Sequence, residues 1–588
     1  MRQPFTRRDI LGVLGSLAAC SRTRSQESPS RHPVADVLSS IPLDAVHLTG
    51  YLGKKLDLCI ANRILAQDPA KLVEPFRKRV ERSCWQSEFW GKWFLSAAAA
   101  CQYTKADARQ RLGDSVHQVL ATQSPDGYIG NYAPNSHLKS WDIWGRKYTL
   151  LGLLAWVDMT QDSAALDGAR RLADHLLTEV GPGKADIVTC GLYRGMASSS
   201  VLEPIVQLFH HTRDERYLTF ARYIVSQWSL PKGPQLIEKA LNGTAVGQRF
   251  PRPAKWWSWE NGEKAYEMMS CYAGLLELYR ETGEPNYRNA AVRTYESIRN
   301  TELNIAGSGS SQECWYGGAA RQTEAAPDTM ETCVAVSWMQ LCAHLLRITG
   351  DSRYADEIER TAYNALLGAM TPDGVAFAKY SSLEGTRQLG TPQCGMDLNC
   401  CTANGPRGMM LLPETAIMMH ADGPVVNLYS AGTWNLKSCR IEVNTGYPFD
   451  GLVDLRVTPH QSENFALRLR IPAWSAATAV TVNRTPVPGI QAGAYATIRR
   501  NWKAGDVVRL RLDLSARTVR AGRFAAVERG PLVLARDARL EANRAPDGID
   551  FVTVTGQKGT ANEVRLCDYA SAGNTWDQRS SFRVWLPA

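Results

Sequence analysis

Hydrophobic residues recur every three or four positions through most of residues 41–415, which is the spacing of a helix with one buried face. Residues 273–279 and 341–346 are clear examples, because Leu, Ala, Cys and Tyr alternate there with single polar residues at helical spacing. The pattern therefore predicts a helical domain over residues 34–424.

A recurring turn divides this helical region into pairs of helices. Residues 211–217, 281–287 and 348–354 are three versions of the turn, and residues 159–162 carry a weaker copy. Each version ends one helix, often at glycine, and then supplies an Asp or Glu that can cap the next helix. Repeated helix pairs are typical of stacked or ring-closed helical hairpins. We therefore predict an (α/α)6 toroid, whose loops gather around a central pocket at one end.

After about residue 425 the pattern changes to alternating apolar and polar residues. Residues 452–457, 465–471 and 507–514 alternate in this way, and segments containing Pro, Gly or Asn separate them. This spacing predicts antiparallel strands in one or two β-sandwich modules over residues 425–588. The whole chain is thus predicted to be a multidomain α plus β protein. We expect the sandwich region to support the helical domain; the alternative is a carbohydrate-binding module.

The N-terminus has the features of an export signal. Paired arginines at 7–8 precede an apolar run that ends at Ala19 and is too short to span a bilayer, which favours the twin-arginine route. The residues up to Cys20 resemble a bacterial lipobox, which would make Cys20 a lipidated N-terminus; the alternative is an ordinary cleaved signal. Residues 1–33 are therefore assigned to a signal and a Ser/Arg/Pro-rich tether. The protein is expected to be periplasmic or lipid-anchored to the bacterial envelope.

Composition narrows the function further. A length of 588 residues predicts two or three domains. The formal charge of +9 includes the basic N-terminus, and no other Lys/Arg run stands out, so no nucleic-acid partner is expected. The 14 cysteines are scattered without the framework of a small disulfide-rich domain. A twin-arginine substrate crosses the membrane folded, so it could load a metal in the cytoplasm and protect its thiolates outside.

Two adjacent cysteines give the sharpest chemical signal. Cys400 and Cys401 cannot both lie on one face of a helix or strand, and ring strain makes them a poor disulfide pair. Upstream, Glu331 and Cys333 offer a carboxylate and a third thiol. Three thiols and one carboxylate have the number and softness that suit Zn²⁺. The residues alone leave three interpretations open: packing cysteines, a closed structural zinc site, or a catalytic thiolate held by zinc.

Three segments together resemble glycoside hydrolase family 127, the β-L-arabinofuranosidase family. They are Gly-Ser-Gly-Ser-Ser-Gln-Glu at 307–313, Met-Glu-Thr-Cys at 330–333 and Asn-Cys-Cys-Thr-Ala-Asn-Gly at 399–405. The resemblance extends from about Trp85 to about Glu414 and then weakens. It implies the same (α/α) toroid and a retaining exo-glycosidase that releases a terminal, pentose-like sugar from an oligo- or polysaccharide.

The resemblance also implies roles for individual residues. Cys400, the first cysteine of the pair, would be the nucleophile, and Glu313 would be the acid/base. Glu331, Cys333, Cys400 and Cys401 would hold zinc, which keeps the nucleophile deprotonated rather than activating water. A thiolate would thereby replace one of the two carboxylates of an ordinary retaining glycosidase.

Candidate sugar contacts come from two sources. By resemblance, Glu359 stands at the place of a family glutamate that lines the sugar pocket, and Tyr380 stands in an altered copy of a family loop. The alternative for Glu359 is a solvated carboxylate on a helix face. From the residues themselves, Trp141 and Trp144 with Asp142 combine stacking rings and a polar group near a helix end.

The sequence departs from the family at two segments that contact the sugar in the family. The family places sugar-binding histidines in two Gly-His motifs, whereas residues 193–197 and 264–269 contain no histidine at these places. Two other functions stay open: a polysaccharide lyase on the same toroid, and a non-catalytic, zinc-stabilised glycan-binding lipoprotein. Glu313 favours the glycosidase over the second alternative, because a structural zinc site has no use for an acid/base.

Overall fold

The computed structural model describes residues 32–105, 107–540, 551–555 and 563–587. The predicted signal, with its arginine pair at 7–8 and Cys20, lies outside the described residues. Among the helices that are described, none is long and apolar enough to cross a membrane.

The α-helices of the described residues precede almost all of the strands. They are α1 (Gly50–Cys59), α2 (Pro69–Lys78), α3 (Gln86–Thr104), α4 (Arg109–Leu120), α5 (Asp142–Thr160), α6 (Ser163–Glu179), α7 (Met196–Ser199), α8 (Leu202–Thr212), α9 (Glu215–Gln227), α10 (Leu236–Leu241), α11 (Ala265–Thr282), α12 (Pro285–Thr301), α13 (Gly318–Arg321), α14 (Thr332–Thr349), α15 (Ser352–Thr361), α16 (Leu367–Ala369) and α17 (Cys400–Ala416).

Six of these helices form a closed inner ring. Helices α3, α5, α8, α11, α14 and α17 each pack against the next, and α17 packs back against α3. Helices α4, α6, α9, α12 and α15 each follow an inner helix and pack outside it, while α1 packs outside α17. The inner helices are buried over most of their surface, because neighbouring inner helices and the outer helices cover them. The predicted (α/α)6 toroid is confirmed.

The recurring turn connects an inner helix to its outer partner in all four copies. Each begins with a left-handed residue and continues with a carboxylate that accepts a hydrogen bond from the backbone N–H two residues later; the pairs are Gln161 and Asp162, Arg213 and Asp214, Gly283 and Glu284, and Gly350 and Asp351. The C-terminal ends of these inner helices therefore share one end of the toroid. Their N-terminal ends meet at the other, and the loops entering them form the pocket.

The strands fall into three sheets. They are β1 (Ser39–Ser40), β2 (Val46–Leu48), β3 (Glu384–Gly385), β4 (Ile417–His420), β5 (Gly423–Val426), β6 (Gly432–Asn435), β7 (Cys439–Thr445), β8 (Leu452–Pro459), β9 (Glu463–Arg470), β10 (Ala479–Val482), β11 (Thr485–Pro486), β12 (Tyr495–Trp502), β13 (Asp506–Arg511), β14 (Ala516–Ala521), β15 (Phe524–Arg529), β16 (Leu532–Asp537), β17 (Phe551–Thr555), β18 (Glu563–Asp568), β19 (Phe582–Arg583) and β20 (Leu586–Pro587).

The first two sheets run in the order β1-β4-β5-β9-β12 and β11-β10-β13-β8-β7-β6-β2. Pairing is antiparallel except between β5 and β9. The third sheet has the order β14-β15-β16-β18-β17, with β3, β19 and β20 attached. The predicted change from helices to largely antiparallel strands is confirmed.

Strands from the N-terminal part of the chain join these sheets. β1 pairs with β4 in the first sheet, and β2 pairs with β6 in the second; these two sheets are called the sandwich sheets below. Residues 39–48 therefore connect the sandwich sheets to the start of the toroid. β3 pairs with β19, which attaches the loop before α17 to the third sheet. One continuous hydrophobic core therefore runs from the toroid into the sandwich sheets.

Candidate active site

A small pocket lies where the N-terminal ends of the inner helices meet. It is open to solvent and has an empty volume of about 350 Å³, part of which is open solvent. Its walls come from α3, α5, α11, α14 and α17 with the loops before them. The lining residues are Trp85, Glu88, Lys92, Trp141, Trp144, Trp257, Lys264, Tyr266, Glu267, Glu313, Glu331, Gln393 and Cys400.

A cluster of three thiols and one carboxylate lies at one wall of the pocket, and two of its members, Cys400 and Glu331, line it. Glu331 immediately precedes α14 and Cys333 lies in its first turn, while Cys400 and Cys401 begin α17, which packs against α14. The Sγ atoms of Cys333 and Cys401 are 3.5 Å apart, and those of Cys400 and Cys401 are 3.9 Å apart. Both Cys400 Sγ and Cys401 Sγ lie 3.7 Å from Glu331 Oε1.

The start of α17 is fixed by three local hydrogen bonds. The Asn399 side chain accepts from the N–H of Thr402 at 2.8 Å and donates to the carbonyl of Gly390 at 3.0 Å. The N–H of Cys400 donates to Gln393 Oε1 at 2.8 Å. Adjacent residues on a helix point in different directions. Cys401 is consequently fully buried beside Cys333, whereas Cys400 is half-buried and lines the pocket.

The four side chains fit a zinc ion. Their ligand atoms all lie within 4.8 Å of one another. Tetrahedral zinc with Zn–S bonds of about 2.3 Å separates its sulfur ligands by about 3.8 Å, close to the two Sγ–Sγ distances. Glu331 Oε2 is also buried without a hydrogen-bond partner among the described residues. The set combines soft sulfur with a carboxylate, as zinc sites do.

The three thiols differ in their tendency to ionise. Contacts with the Cys333 and Cys401 thiols lower the pKa of Cys400 well below its usual value; burial opposes this effect, and Lys92 and Lys379 support it. Burial raises the pKa values of Cys333 and Cys401. Cys400 therefore ionises more readily than Cys333 and Cys401, and it lies at the N-terminus of α17, where the helix dipole favours an anion.

Glu313 reaches the pocket from a tightly turned loop. Ser310, Gln312 and Glu313 all have positive φ angles, of 74°, 47° and 67°, which is unusual for residues other than glycine. Gly307 has a φ of +77°, and a Cβ there would come within 3.1 Å of three atoms of neighbouring residues. This conformation directs the Glu313 side chain into the pocket that Cys400 also lines.

The Glu313 carboxylate is held by three side chains. Lys264 donates to Oε2, Lys379 Nζ lies 3.0 Å from Oε1, and the Tyr380 hydroxyl donates to Oε1 at 3.2 Å. Burial raises the pKa of Glu313, but Lys264 and Lys379 outweigh burial and lower it below its ordinary value. Tyr380 thus lies beside the predicted acid/base.

The two predicted tryptophans line the pocket, but their predicted polar neighbour faces elsewhere. Trp144 donates its indole N–H to Glu88, and Trp141 packs edge-on against Trp85 with ring centroids 5.4 Å apart. Asp142 instead accepts from the Tyr128 hydroxyl at 2.8 Å and pairs with Arg146 at 2.5 Å. One helical step of about 100° separates Asp142 from Trp141, so it points away from the pocket.

Glu359 also lies away from the pocket. It is on the outer helix α15 and accepts hydrogen bonds from three residues of the sandwich region: Arg470 at 2.5 Å, the Tyr447 hydroxyl at 2.7 Å and Trp474 Nε1 at 3.2 Å. Glu359, which was expected to contact the sugar, therefore forms a buried ion pair with Arg470 that joins the toroid to the strands after residue 425. The side chain is 1% exposed, so the solvated alternative does not hold either.

Several pocket residues were not predicted. Glu88 and Lys92 form a buried ion pair of 2.9 Å on α3, and Lys264 pairs with Glu267 at 3.6 Å at the start of α11. Burial raises the pKa of Glu267 to about 7, Lys264 lowers it in part, and Glu267 Oε2 has no hydrogen-bond partner among the described residues. The available signal was the presence of charged residues near the starts of helices whose middle parts are largely apolar.

The sequence matches two family models over most of its length. Residues 58–414 match the β-L-arabinofuranosidase GH127 catalytic domain, and residues 424–514 match the GH127 middle domain. The chain is 26% identical over 499 residues to the non-reducing end β-L-arabinofuranosidase of Bifidobacterium longum subsp. longum, covering 75% of this chain and 74% of that one.

Solved structures share the architecture. A GH127 β-L-arabinofuranosidase from Geobacillus stearothermophilus T6 has a TM-score of 0.71 at 19% identity, covering 92% of this chain and 99% of that one. Another GH127 β-arabinofuranosidase has a TM-score of 0.72 at 21% identity, covering 94% and 98% of the two chains. At these identities the likeness establishes the fold.

Proposed function

Because the chain belongs to glycoside hydrolase family 127 and is a β-L-arabinofuranosidase-like glycoside hydrolase, we propose that it is a retaining exo-glycosidase with a cysteine nucleophile held by zinc. The proposed substrate is a complex glycan with a terminal pentose-like sugar, and β-L-arabinofuranose is the first candidate. The observation that carries the proposal is that Cys400 is the one cysteine of the cluster that lines the pocket, and Glu313 lines it too.

The proposed reaction has two displacements. The Cys400 thiolate attacks the anomeric carbon, a C–S bond forms as the glycosidic C–O bond breaks, and Glu313 gives its proton to the leaving oxygen. Glu313 then takes a proton from water, whose oxygen attacks the same carbon and releases Cys400 as the thiolate. When bound, zinc would keep the cysteines deprotonated and oriented through Glu331, Cys333, Cys400 and Cys401.

The partners of Glu313 suit the second displacement. Lys264 and Lys379 favour its carboxylate form, which is the form that accepts a proton from water. For the first displacement Glu313 must bind a proton as the sugar enters the pocket. Tyr380 remains a contact that orients the carboxylate through its hydroxyl.

The pocket walls support recognition of one sugar ring. Trp141 and Trp144 offer aromatic surface. Glu267 Oε2 is buried, has no hydrogen-bond partner among the described residues, and can accept from a sugar hydroxyl. Exo action is proposed by likeness to the non-reducing end β-L-arabinofuranosidase that the chain matches over 499 residues.

Substitution of the proposed acid/base tests this function. In purified protein, Glu313→Gln is expected to lower kcat for hydrolysis of methyl β-L-arabinofuranoside by at least about 100-fold, the lower range for loss of a general acid/base. The loss should be much smaller with a nitrophenyl leaving group, which departs without a proton. Full activity of Glu313→Gln on the methyl glycoside would contradict the mechanism.

The zinc proposal has its own test. Elemental analysis of the purified protein should find one zinc per chain, and Cys333→Ala, which removes a ligand that does not line the pocket, should lower the bound fraction. Active protein without zinc, or with a mapped Cys400–Cys401 disulfide, would contradict it.

We also propose that residues 1–33 direct twin-arginine export and that Cys20 is lipidated. Cell fractionation should place the protein in the envelope, and replacement of the arginine pair at 7–8 by lysines should retain it in the cytoplasm. Cys20→Ala should release the exported protein from the membrane fraction. Unchanged fractionation of both variants would contradict the proposal.

A further inference from the structure

Two tryptophans on one loop are unusually exposed. Trp257 is 50% exposed and Trp259 is 44% exposed, whereas most other tryptophans of the described residues are buried. Both belong to residues 256–259, here called the tryptophan loop. Exposed aromatic surface concentrated on one loop is typical of a binding site, because aromatic rings favour burial.

The tryptophan loop continues the wall of the pocket outward. Trp257 lines the pocket, and its ring stacks on Trp256 with centroids 5.0 Å apart and on Trp85 with centroids 6.0 Å apart. It also meets Trp141 edge-on at 6.1 Å. An aromatic surface therefore runs from inside the pocket to its half-exposed rim.

The tryptophan loop is fixed on the side of the proposed acid/base. Lys264, which donates to Glu313, also lies 5.0 Å from the ring centroid of Trp256 and 5.5 Å from that of Trp257. Asn261 Nδ2 donates to the carbonyl of Trp256 at 3.1 Å and to the sulfur of Cys314 at 3.3 Å, next to Glu313 in the chain. The acid/base protonates the leaving oxygen, so the group bonded to that oxygen must lie on the same side.

We propose that the tryptophan loop binds the leaving part of the substrate, and that this part is a neutral sugar ring that stacks on Trp257 and Trp259. The inference rests on the proposed function and extends it to the glycan beyond the scissile bond. Indole faces suit the C–H surface of a neutral sugar, whereas the pocket holds the terminal ring. The substrate is accordingly a glycan with at least one further sugar after the terminal one.

The test compares two glycosides that differ in their leaving part. Methyl β-L-arabinofuranoside has no second ring, whereas a β-L-arabinofuranosyl-arabinose disaccharide has one. We expect Trp259→Ala to lower the ratio of kcat/KM for the disaccharide to kcat/KM for the methyl glycoside by about three- to tenfold, the range for loss of one aromatic contact. The change should appear mainly in the KM for the disaccharide. Trp259→Phe, which keeps an aromatic ring, should have a kcat/KM ratio close to that of the wild type.

Leu241→Ala is the matched control, because Leu241 is 38% exposed and lies on the short helix α10, outside the pocket lining. Its ratio should equal that of the wild type. An unchanged ratio in Trp259→Ala, or an equal loss on both glycosides, would overturn the inference while leaving the proposed function intact.

If the proposed function is wrong, the wild type should hydrolyse neither glycoside, and the tryptophan loop then needs a test that does not depend on hydrolysis. If the wild type hydrolyses neither glycoside, calorimetric titration with the disaccharide tests the tryptophan loop directly. A Kd that rises at least threefold in Trp259→Ala would support the loop as a sugar-binding surface. An equal Kd, or no binding to the wild type, would overturn it.

Discussion

At the scale of residues, the structure separates three cysteines that the sequence presents as equivalent. Cys333 and Cys401 are fully buried, while Cys400 lines the pocket and has the lowered pKa. The resemblance to family 127 named Cys400 from motif order alone. The structure adds a physical reason, because the first residue of α17 faces the pocket and the second faces α14.

The sugar contacts were harder to predict than the catalytic residues. Cys400 and Glu313 lie in short segments that could be matched directly. Asp142 was chosen from its neighbours in the sequence and Glu359 from its place in the family resemblance, and both have structural partners elsewhere. Glu88 and Glu267 line the pocket, but only the closed ring of inner helices brings α3 and α11 to the same place.

Glu267 is the residue whose role is most open to a direct test. We expect Glu267→Gln to lower kcat/KM on methyl β-L-arabinofuranoside by about ten- to 100-fold, the size of a hydrogen bond to a charged group. Its Oε2 is buried, faces no protein donor among the described residues and lines the pocket. Steady-state kinetics checks this, with exposed Glu260→Gln as the control. Equal kcat/KM in both variants would exclude Glu267 as a sugar contact.

At the scale of elements, the helix pairs could be predicted because their signals are local. A left-handed residue followed by a capping carboxylate ends one helix and starts the next within a few positions. The strands after residue 425 were predictable for the same reason. The pairing of β1 and β2 with strands β4 and β6 could not be predicted, because these partners lie more than 350 residues away in the chain.

Removal of one cap should affect stability without affecting catalysis. Asp351 accepts from the N–H of Arg353 at 3.0 Å at the start of α15. We expect Asp351→Ala to lower the free energy of unfolding of the toroid by about 1 kcal/mol, while Asp351→Asn, which can still cap, should have less than half that effect. Urea unfolding followed by circular dichroism measures this.

The activity of the Asp351 variants is the second readout. The turn lies at the end of the toroid opposite the pocket, so kcat and KM should equal those of the wild type. A loss of activity in folded Asp351→Ala would mean that the two ends of the toroid are coupled.

At the scale of the whole molecule, buried side-chain contacts join the strands after residue 425 to the toroid. Arg470 on β9 is fully buried and pairs with both Glu359 and Asp356 on α15. Asn364 adds a second link, because it donates to the carbonyl of Pro531 at 2.9 Å and accepts from the N–H of Val533 at 2.8 Å. These contacts favour the supporting role expected for the region over an independent binding module.

This arrangement predicts that Glu359 acts on stability rather than on sugar binding. Glu359→Gln leaves Arg470 partly uncompensated in the interior, and breaking a buried pair typically costs about 3–5 kcal/mol. We expect a clear drop in the thermal unfolding temperature together with an unchanged KM in the folded protein. A raised KM at wild-type stability would instead restore Glu359 as a sugar contact.

The measurement that tests the central claim most directly is the detection of a sugar on Cys400. Glu313→Gln, incubated with dinitrophenyl β-L-arabinofuranoside, should form the covalent intermediate without needing the acid and should break it down slowly without the base. Intact-protein mass spectrometry is expected to show one pentosyl group per chain, peptide mapping should place it on Cys400, and Glu313→Gln combined with Cys400→Ala should show none. Release of dinitrophenol with no adduct, or an adduct that persists after Cys400→Ala, would contradict the account.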